Sequence, residues 1–276
     1  MAFFLAVLTS VFYGVFDFAG GMATRRGPVL AVAAWANAAG LGLALCIAAI
    51  HHLAVGATVT LADFFWGLVS GVAGVAGVVF YFLGLARGRM AVVAPVSAVT
   101  LALVPFLFGV VLGERHSLVS WLGVLVAMPA LWLTVQERSR VGRPAMALFG
   151  FAAGLTFSVF FIGVAQISSE AGLWPLVSIK LGGLGSVAVL IALRRVPLSL
   201  SPQARALALV AGGAVLANLT YLLAVQIGPF GLVAVASSFY PMVVAVLARI
   251  VDKQRISPHR MMGLALSVVA LTLIVL

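Results

Sequence analysis

"YFLGLARGRMAVVAPVS", residues 81–97, returns in altered form as "YLLAVQIGPFGLVAVAS", residues 221–237. Further along, "ERHSLVSWLG" at 114–123 lies over "QRISPHRMMG" at 254–263, at the same offset of 140 residues. Tyr81/Tyr221, Gly88/Gly228, Val93/Val233, Ala94/Ala234, Ser97/Ser237, Arg115/Arg255, Ser117/Ser257 and Gly123/Gly263 are identical pairs. Apolar sequences use few residue types, so the matches at Tyr, Ser, Arg and Gly weigh more than those at Val. A weaker echo joins "SVFY" at 10–13 to "SVFF" at 158–161, and Pro28 to Pro175. The chain reads as one unit duplicated, residues 1–140 and 141–276.

Composition says what the unit is made of. The 276 residues are 64% hydrophobic and 8% charged. Soluble domains run about half apolar and about a quarter charged, and a soluble fold of this size has no core large enough to hide the excess. Charges, prolines and glycine-rich breaks divide the chain into ten segments, roughly 2–23, 28–50, 63–86, 91–112, 117–136, 146–168, 173–193, 203–226, 231–250 and 258–276. Each has the twenty or so residues that a helix needs to cross a hydrocarbon layer about 30 Å thick. The expected fold is therefore an all-α integral membrane protein of ten transmembrane helices, five to each repeat. Five is odd, so the second copy enters the bilayer from the opposite side. Two inverted five-helix repeats around a central cavity are the plan of secondary transporters.

The charges support the inversion. Fourteen of the sixteen Lys and Arg fall in the odd-numbered links; the even links hold Arg115 alone, and Lys180 lies within a segment. Cytoplasmic loops are rich in Lys and Arg, so the odd links are placed in the cytoplasm and both termini outside. Arg25 and Arg26 follow the first segment, whereas Glu170 and no cation follow the sixth. The net charge of +10 is thus a topology signal and not a nucleic-acid footprint. The opening "MAFFLAVLTS" lacks the basic region of a signal peptide and reads as a retained first helix. One cysteine, Cys46, excludes an internal disulfide and thiolate metal clusters.

The order "FDFAGG", "GRMAVVAPVSAV…VPFLFGVVLGERHS", "GLWPL", "SSFYPMVVAVLAR" resembles the EamA-like branch of the drug/metabolite transporter superfamily over essentially the whole chain. The resemblance implies a ten-helix carrier of small metabolites or drugs, with helices 1–4 and 6–9 around the cavity and helices 5 and 10 outside them. Similar carriers commonly keep their termini in the cytoplasm; the loop charges of this chain argue for the reverse. A second departure is "VDKQR" at 251–255, where Gln254 stands opposite Glu114.

Ionisable groups at mid-helix cost about 2.5–3.5 kcal/mol on insertion scales, so each needs a reason. Asp17 and Lys180 are the two such groups singled out. Asp17, in "VFYGVFDFAGG", either lines the cavity, where it binds a substrate cation or carries a proton, or is held by Tyr13 one turn back. Lys180 either binds a substrate carboxylate or phosphate, or snorkels to the outer headgroups. Their axial separation along straight helices is about 11 Å. Polar and aromatic residues at mid-span complete the candidate binding set: Tyr13, Trp35, Asn37, Tyr81, Ser97, Phe161, Asn218, Tyr221, Ser237 and Tyr240. For these the alternative is inter-helix hydrogen bonding or packing. Glu114, Arg115 and His116 read as a solvated helix end with a local ion pair.

Glycines at 67, 71, 74 and 77, at 150 and 154, and at 182, 183 and 185 suit close approach of helix backbones. Pro95, Pro105 and Pro241 are expected to interrupt the fourth and ninth helices. No catalytic set, metal site or cofactor motif is present, and no Gly-rich loop ends in Lys-Ser or Lys-Thr. The expected function is a secondary transporter that moves a small organic metabolite across the cytoplasmic membrane by alternating access. An amino acid or similar zwitterion is the favoured cargo, export the favoured direction, and Asp17 the coupling residue for a proton. The alternatives are an uncoupled exchanger or broad drug exporter and, from another class, a membrane scaffold or enzyme. The partners are the lipid bilayer and the small-molecule substrate; oligomeric state is open.

Overall fold

The computed structural model describes residues 1–87, 90–135, 145–251, 253 and 257–276. Within them the chain is helical, in the order α1 (Ala2–Thr24), α2 (Val29–Val55), α3 (Leu61–Arg87), α4 (Met90–Val111), α5 (Leu118–Val135), α6 (Ala145–Ala165), α7 (Pro175–Arg194), α8 (Pro202–Ala211), α9 (Val215–Ile227), α10 (Phe230–Ser237), α11 (Tyr240–Ile250) and α12 (Pro258–Val275). Helices α8 and α9 together form one span, as do α10 and α11, so the described residues hold ten helices apolar and long enough to cross a membrane.

The fourth span, expected to break, is continuous; the ninth breaks as expected, and the eighth breaks where no break was expected. The fourth span runs through Pro95 and Pro105 without a break. A membrane helix tolerates proline where neighbouring helices satisfy the freed backbone, and this span is among the most enclosed, 61% buried. The ninth span does break, at Ser238–Phe239, so that Pro241 falls in the first turn of α11, where its missing N–H costs no bond. The eighth span breaks at a 3₁₀ turn over Gly212–Ala214, with no proline involved. Gly212 packs on the backbone of α2, where a Cβ would meet the Ala36 carbonyl at 2.8 Å and the Gly40 nitrogen at 2.9 Å. The break lets the eighth span touch α2 backbone to backbone.

The main seams all join the first half to the second. α1 packs on α8–α9 and α10–α11, α2 on α7 and α8, α3 on α6 and α7, α4 on α6 and α10, and α5 on α12. Exchanging each span for its counterpart five places away leaves this set of neighbours unchanged. At the α5–α12 seam the correspondence reaches single residues. Gly123 lies against the backbone nitrogen of Ile274, and Gly263 against that of Thr134, two contacts related by the offset that aligns the sequences.

Glycine creates the tight seams. A Cβ at Gly71 would run into the Ile179 carbonyl, and one at Gly182 into the Leu68 carbonyl, so α3 and α7 touch through bare backbone. Gly150 and Gly154 do the same for α6 against the carbonyls of Val93 and Ser97 in α4. Gly185 faces open space instead. Without water-driven burial to hold them together, membrane helices rely on such van der Waals contact.

Candidate functional site

On α1, Tyr13, Asp17 and Gly21 recur at one-turn spacing. They lie on the face away from Phe4, Val11 and Val15, which are exposed to the bilayer side. Asp17 is nevertheless solvent-accessible, and a Cβ at Gly21 would meet nothing within 4 Å. Asp17 and Gly21 thus form an accessible strip on that face of α1. The strip lies toward the end of α1 that carries Arg25 and Arg26.

Lys180 stands five residues into α7 and is only 8% exposed. Its stem crosses α2 at Gly40, where a Cβ would come within 3.1 Å of Cε and 3.0 Å of the Gly212 carbonyl. Glycine at 40 and the break at Gly212 together make the slot in which the lysine lies. The side chain is thus buried among helices and does not snorkel. Asp17 and Lys180 are electrostatic neighbours. Among the described residues, however, no ion pair within 4 Å joins them and neither makes a side-chain hydrogen bond. The two groups lie in electrostatic range of each other without a direct bond. In so apolar a setting an unpaired charge is expensive.

Around this pair stand all four tyrosines of the chain. Tyr13 does not hold Asp17; its hydroxyl donates to Asn218 Oδ1 at 2.6 Å. Its ring lies 6.2 Å from Tyr240, edge-on, and 6.4 Å from Phe161. Phe161 and Tyr221 stack at 4.4 Å, and the Tyr221 hydroxyl donates to the Phe161 carbonyl at 3.3 Å. Tyr240 lies at the break of the ninth span and feels the charge of Asp17; Tyr81 is the next group in its surroundings. The structure therefore brings together Tyr13, Asp17, Tyr81, Phe161, Lys180, Asn218, Tyr221 and Tyr240.

Four other candidates sit apart. Trp35 donates its indole N–H to the Leu198 carbonyl at 3.1 Å under the Arg205 guanidinium, at the arginine-rich end. Asn37 bonds back to the Ala33 carbonyl at 2.9 Å and borders Gly183 in the α2–α7 seam. Ser97 is buried where α4 meets Gly154 of α6. Ser237 is fully buried, its hydroxyl 3.5 Å from the Ala6 carbonyl.

Some features escaped the sequence reading. The Gly212–Gly213 doublet is the one local sign of the break in the eighth span. Asp63, 3% exposed, caps α3 through Thr60 and also accepts the Ser168 N–H at 2.8 Å. Its T-x-x-D spacing is a helix-start signature, which announces the cap but not the distant partner. Glu114 is no local ion pair with Arg115. Its carboxylate accepts the Gly231 N–H at 2.9 Å, 117 residues away, and no local pattern announces a partner at that distance.

A site of this kind offers one negative group, one positive group, several hydroxyls and an aromatic wall, and among the described residues no cluster of three potential metal ligands. It suits binding of a small molecule that carries both signs of charge. No curated protein matches the chain significantly. A solved structure titled only as a crystal structure of a protein is similar in fold at 20% identity, with a TM-score of 0.77 over 100% of this chain and 98% of that one. The model of the EamA-like transporter family matches residues 1–136 and 144–276. With ten apolar spans and a family match over almost its whole length, this multi-pass membrane protein belongs to the EamA-like transporter family.

Proposed function

We propose that the chain is a secondary carrier of a small organic zwitterion, an amino acid above all, which it moves across the cytoplasmic membrane by alternating access. The observation that carries this reading is the Asp17–Lys180 pair, two opposite charges in mutual range with no bond between them. An α-amino acid presents an ammonium to Asp17 and a carboxylate to Lys180, while the tyrosine and Phe161 rings receive an apolar side chain. Asp17 then couples the cycle, because the carboxylate that releases the substrate cation is free to take a proton. Export is the direction suggested by the family resemblance. The loop charges favour termini on the outside. Inversion of residues 141–276 relative to residues 1–140 is supported by the exchange-symmetric seams and by the paired contacts at Gly123 and Gly263.

A flux screen in proteoliposomes, with labelled amino acids, sugars and nucleosides and with or without a pH gradient, tests the reading. Amino acids should enter above the empty-vesicle background and respond to the gradient. Transport of only sugars or nucleosides, or of none of the three, would sink it. A gradient-independent exchange of amino acids would keep the cargo and remove the proton. Lys180→Met addresses the anion contact. It should raise KM for the amino acid by about tenfold or more, the scale of a lost charge-assisted bond, and leave flux of the decarboxylated amine nearly unchanged. Equal losses for both solutes would show that Lys180 does not read the carboxylate.

A further inference from the structure

The two faces of the bundle are closed by different chemistry. On the face away from Arg25 and Arg26, two carboxylates of the first half each hold a backbone N–H of the second. Glu114 accepts from Gly231, the second residue of α10, at 2.9 Å. The carboxylate fills the space between Gly109 and Gly231, where a Cβ on either residue would collide with it. His116 seals the contact. Its side chain is 1% exposed, its Nε2 lies 3.4 Å from the same oxygen, and its ring stacks on Phe106 at 5.1 Å. Asp63, at the start of α3, accepts the Ser168 N–H at 2.8 Å; beside it the Thr58 N–H donates to the Glu170 carbonyl at 2.9 Å. Bonds from an ionised carboxylate to backbone N–H are about twice as strong as neutral ones, and more so when dry.

The opposite face has no carboxylate tie among the described residues; its bond between the halves is the neutral one from the Trp35 indole N–H to the Leu198 carbonyl at 3.1 Å. There α8 and α12 start on serine hydroxyls that bond within their own first turns, Ser201 to the Ala204 N–H and Ser257 to the Arg260 N–H. In sequence the repeat counterpart of Glu114 is the neutral Gln254. That face is also where Asp17 and Gly21 are accessible. Between the site and Glu114 stands Tyr221, fully buried and in electrostatic range of both Tyr13 and Glu114.

We propose that Glu114 and Asp63 form the latch that keeps the carrier shut on the face away from its arginine-rich links. Both ties must break before the site opens that way. The inference rests on the alternating-access reading. It adds two positioning residues to it, and makes the conformation open toward the arginine-rich links the resting one.

Two cysteine reporters in a Cys46→Ser background test the latch by their rates of reaction with a membrane-impermeant maleimide. Ala224→Cys, buried one turn beyond Tyr221, reports opening on the latched face; Gly21→Cys reports opening on the arginine-rich face. Vesicles of both orientations give access to each side. Glu114→Ala should speed labelling at residue 224 by about tenfold and slow it at residue 21. Glu114→Gln and Asp63→Asn, which keep their shape and an acceptor, should give the same opposed shifts at smaller size. Unchanged rates at both reporters, or faster labelling at both as in general loosening, would overturn the latch. Labelling needs no substrate, so opposed shifts in a chain that moves none of the screened solutes would keep the latch and reject the cargo.

Discussion

Asp17→Asn is expected to reduce amino-acid flux to the level of empty vesicles while the protein still inserts and runs as a single species in detergent. The substitution keeps the shape of the side chain and removes its charge. Insertion should improve if it changes at all, because a carboxylate at mid-helix costs about 2.5–3.5 kcal/mol on insertion scales. Transport is another matter. The Asp17 carboxylate makes no side-chain hydrogen bond among the described residues, so no folded-state contact is lost that would explain an indirect effect. What disappears is the counter-charge to Lys180 and the carboxylate beside Tyr13 and Tyr240. A neutral amide neither balances a substrate ammonium nor exchanges a proton, so substrate binding and coupling fail together. Parent-like flux in the Asn variant across a range of external pH would take Asp17 out of the mechanism.

The largest effect on assembly is expected for Gly71→Val. The valine Cβ would fall on the Ile179 carbonyl and within 2.7 Å of the Gly183 nitrogen. Both are backbone atoms of α7, so no change of rotamer relieves the clash, and the helices must part along their length. Overpacking a well-filled core costs about 1–3 kcal/mol, and more where backbone has to move. The same seam carries the reciprocal contact of Gly182 on Leu68 and positions α7, whose Lys180 lies in the slot at Gly40 of α2, so binding should fall with stability. Gly185→Ala is the control, since its Cβ would meet nothing within 4 Å. The apparent Tm in detergent should drop by several degrees for the valine variant and stay unchanged for the alanine variant. Equal values would show that the α3–α7 approach is not what holds the bundle.

Much of this architecture was legible in the chain because a bilayer asks for so little. Apolar runs of the right length gave ten segments, and each corresponds to an observed span within a few residues. Repeated Tyr, Ser, Arg and Gly gave the reading of two copies, which the exchange-symmetric seams fit. Asp17 and Lys180 were conspicuous because charge is scarce in such surroundings, and the tyrosines because the chain has only four. What the sequence did not disclose depends on neighbours. Pro95 and Pro105 carry the same local signal as Pro241, yet only the span containing Pro241 breaks. Trp35 and Asn37 are mid-span residues like Asn218, but their helical phase turns them to the Arg205 end and to the α7 seam. Glu114 could not be paired with Gly231 by any rule of spacing. Such contacts follow from the way two units dock.

The α5–α12 contact, in which Gly123 meets Ile274 while Gly263 meets Thr134, has a consequence for ancestry. A surface that fits its own duplicate needs no second gene to find a mate. A five-helix unit inserted in both senses would already carry each side of every main seam and could pair with an upside-down copy of itself. Joined in one chain, two such copies are free to differ, one with Asp17 and the other with Lys180.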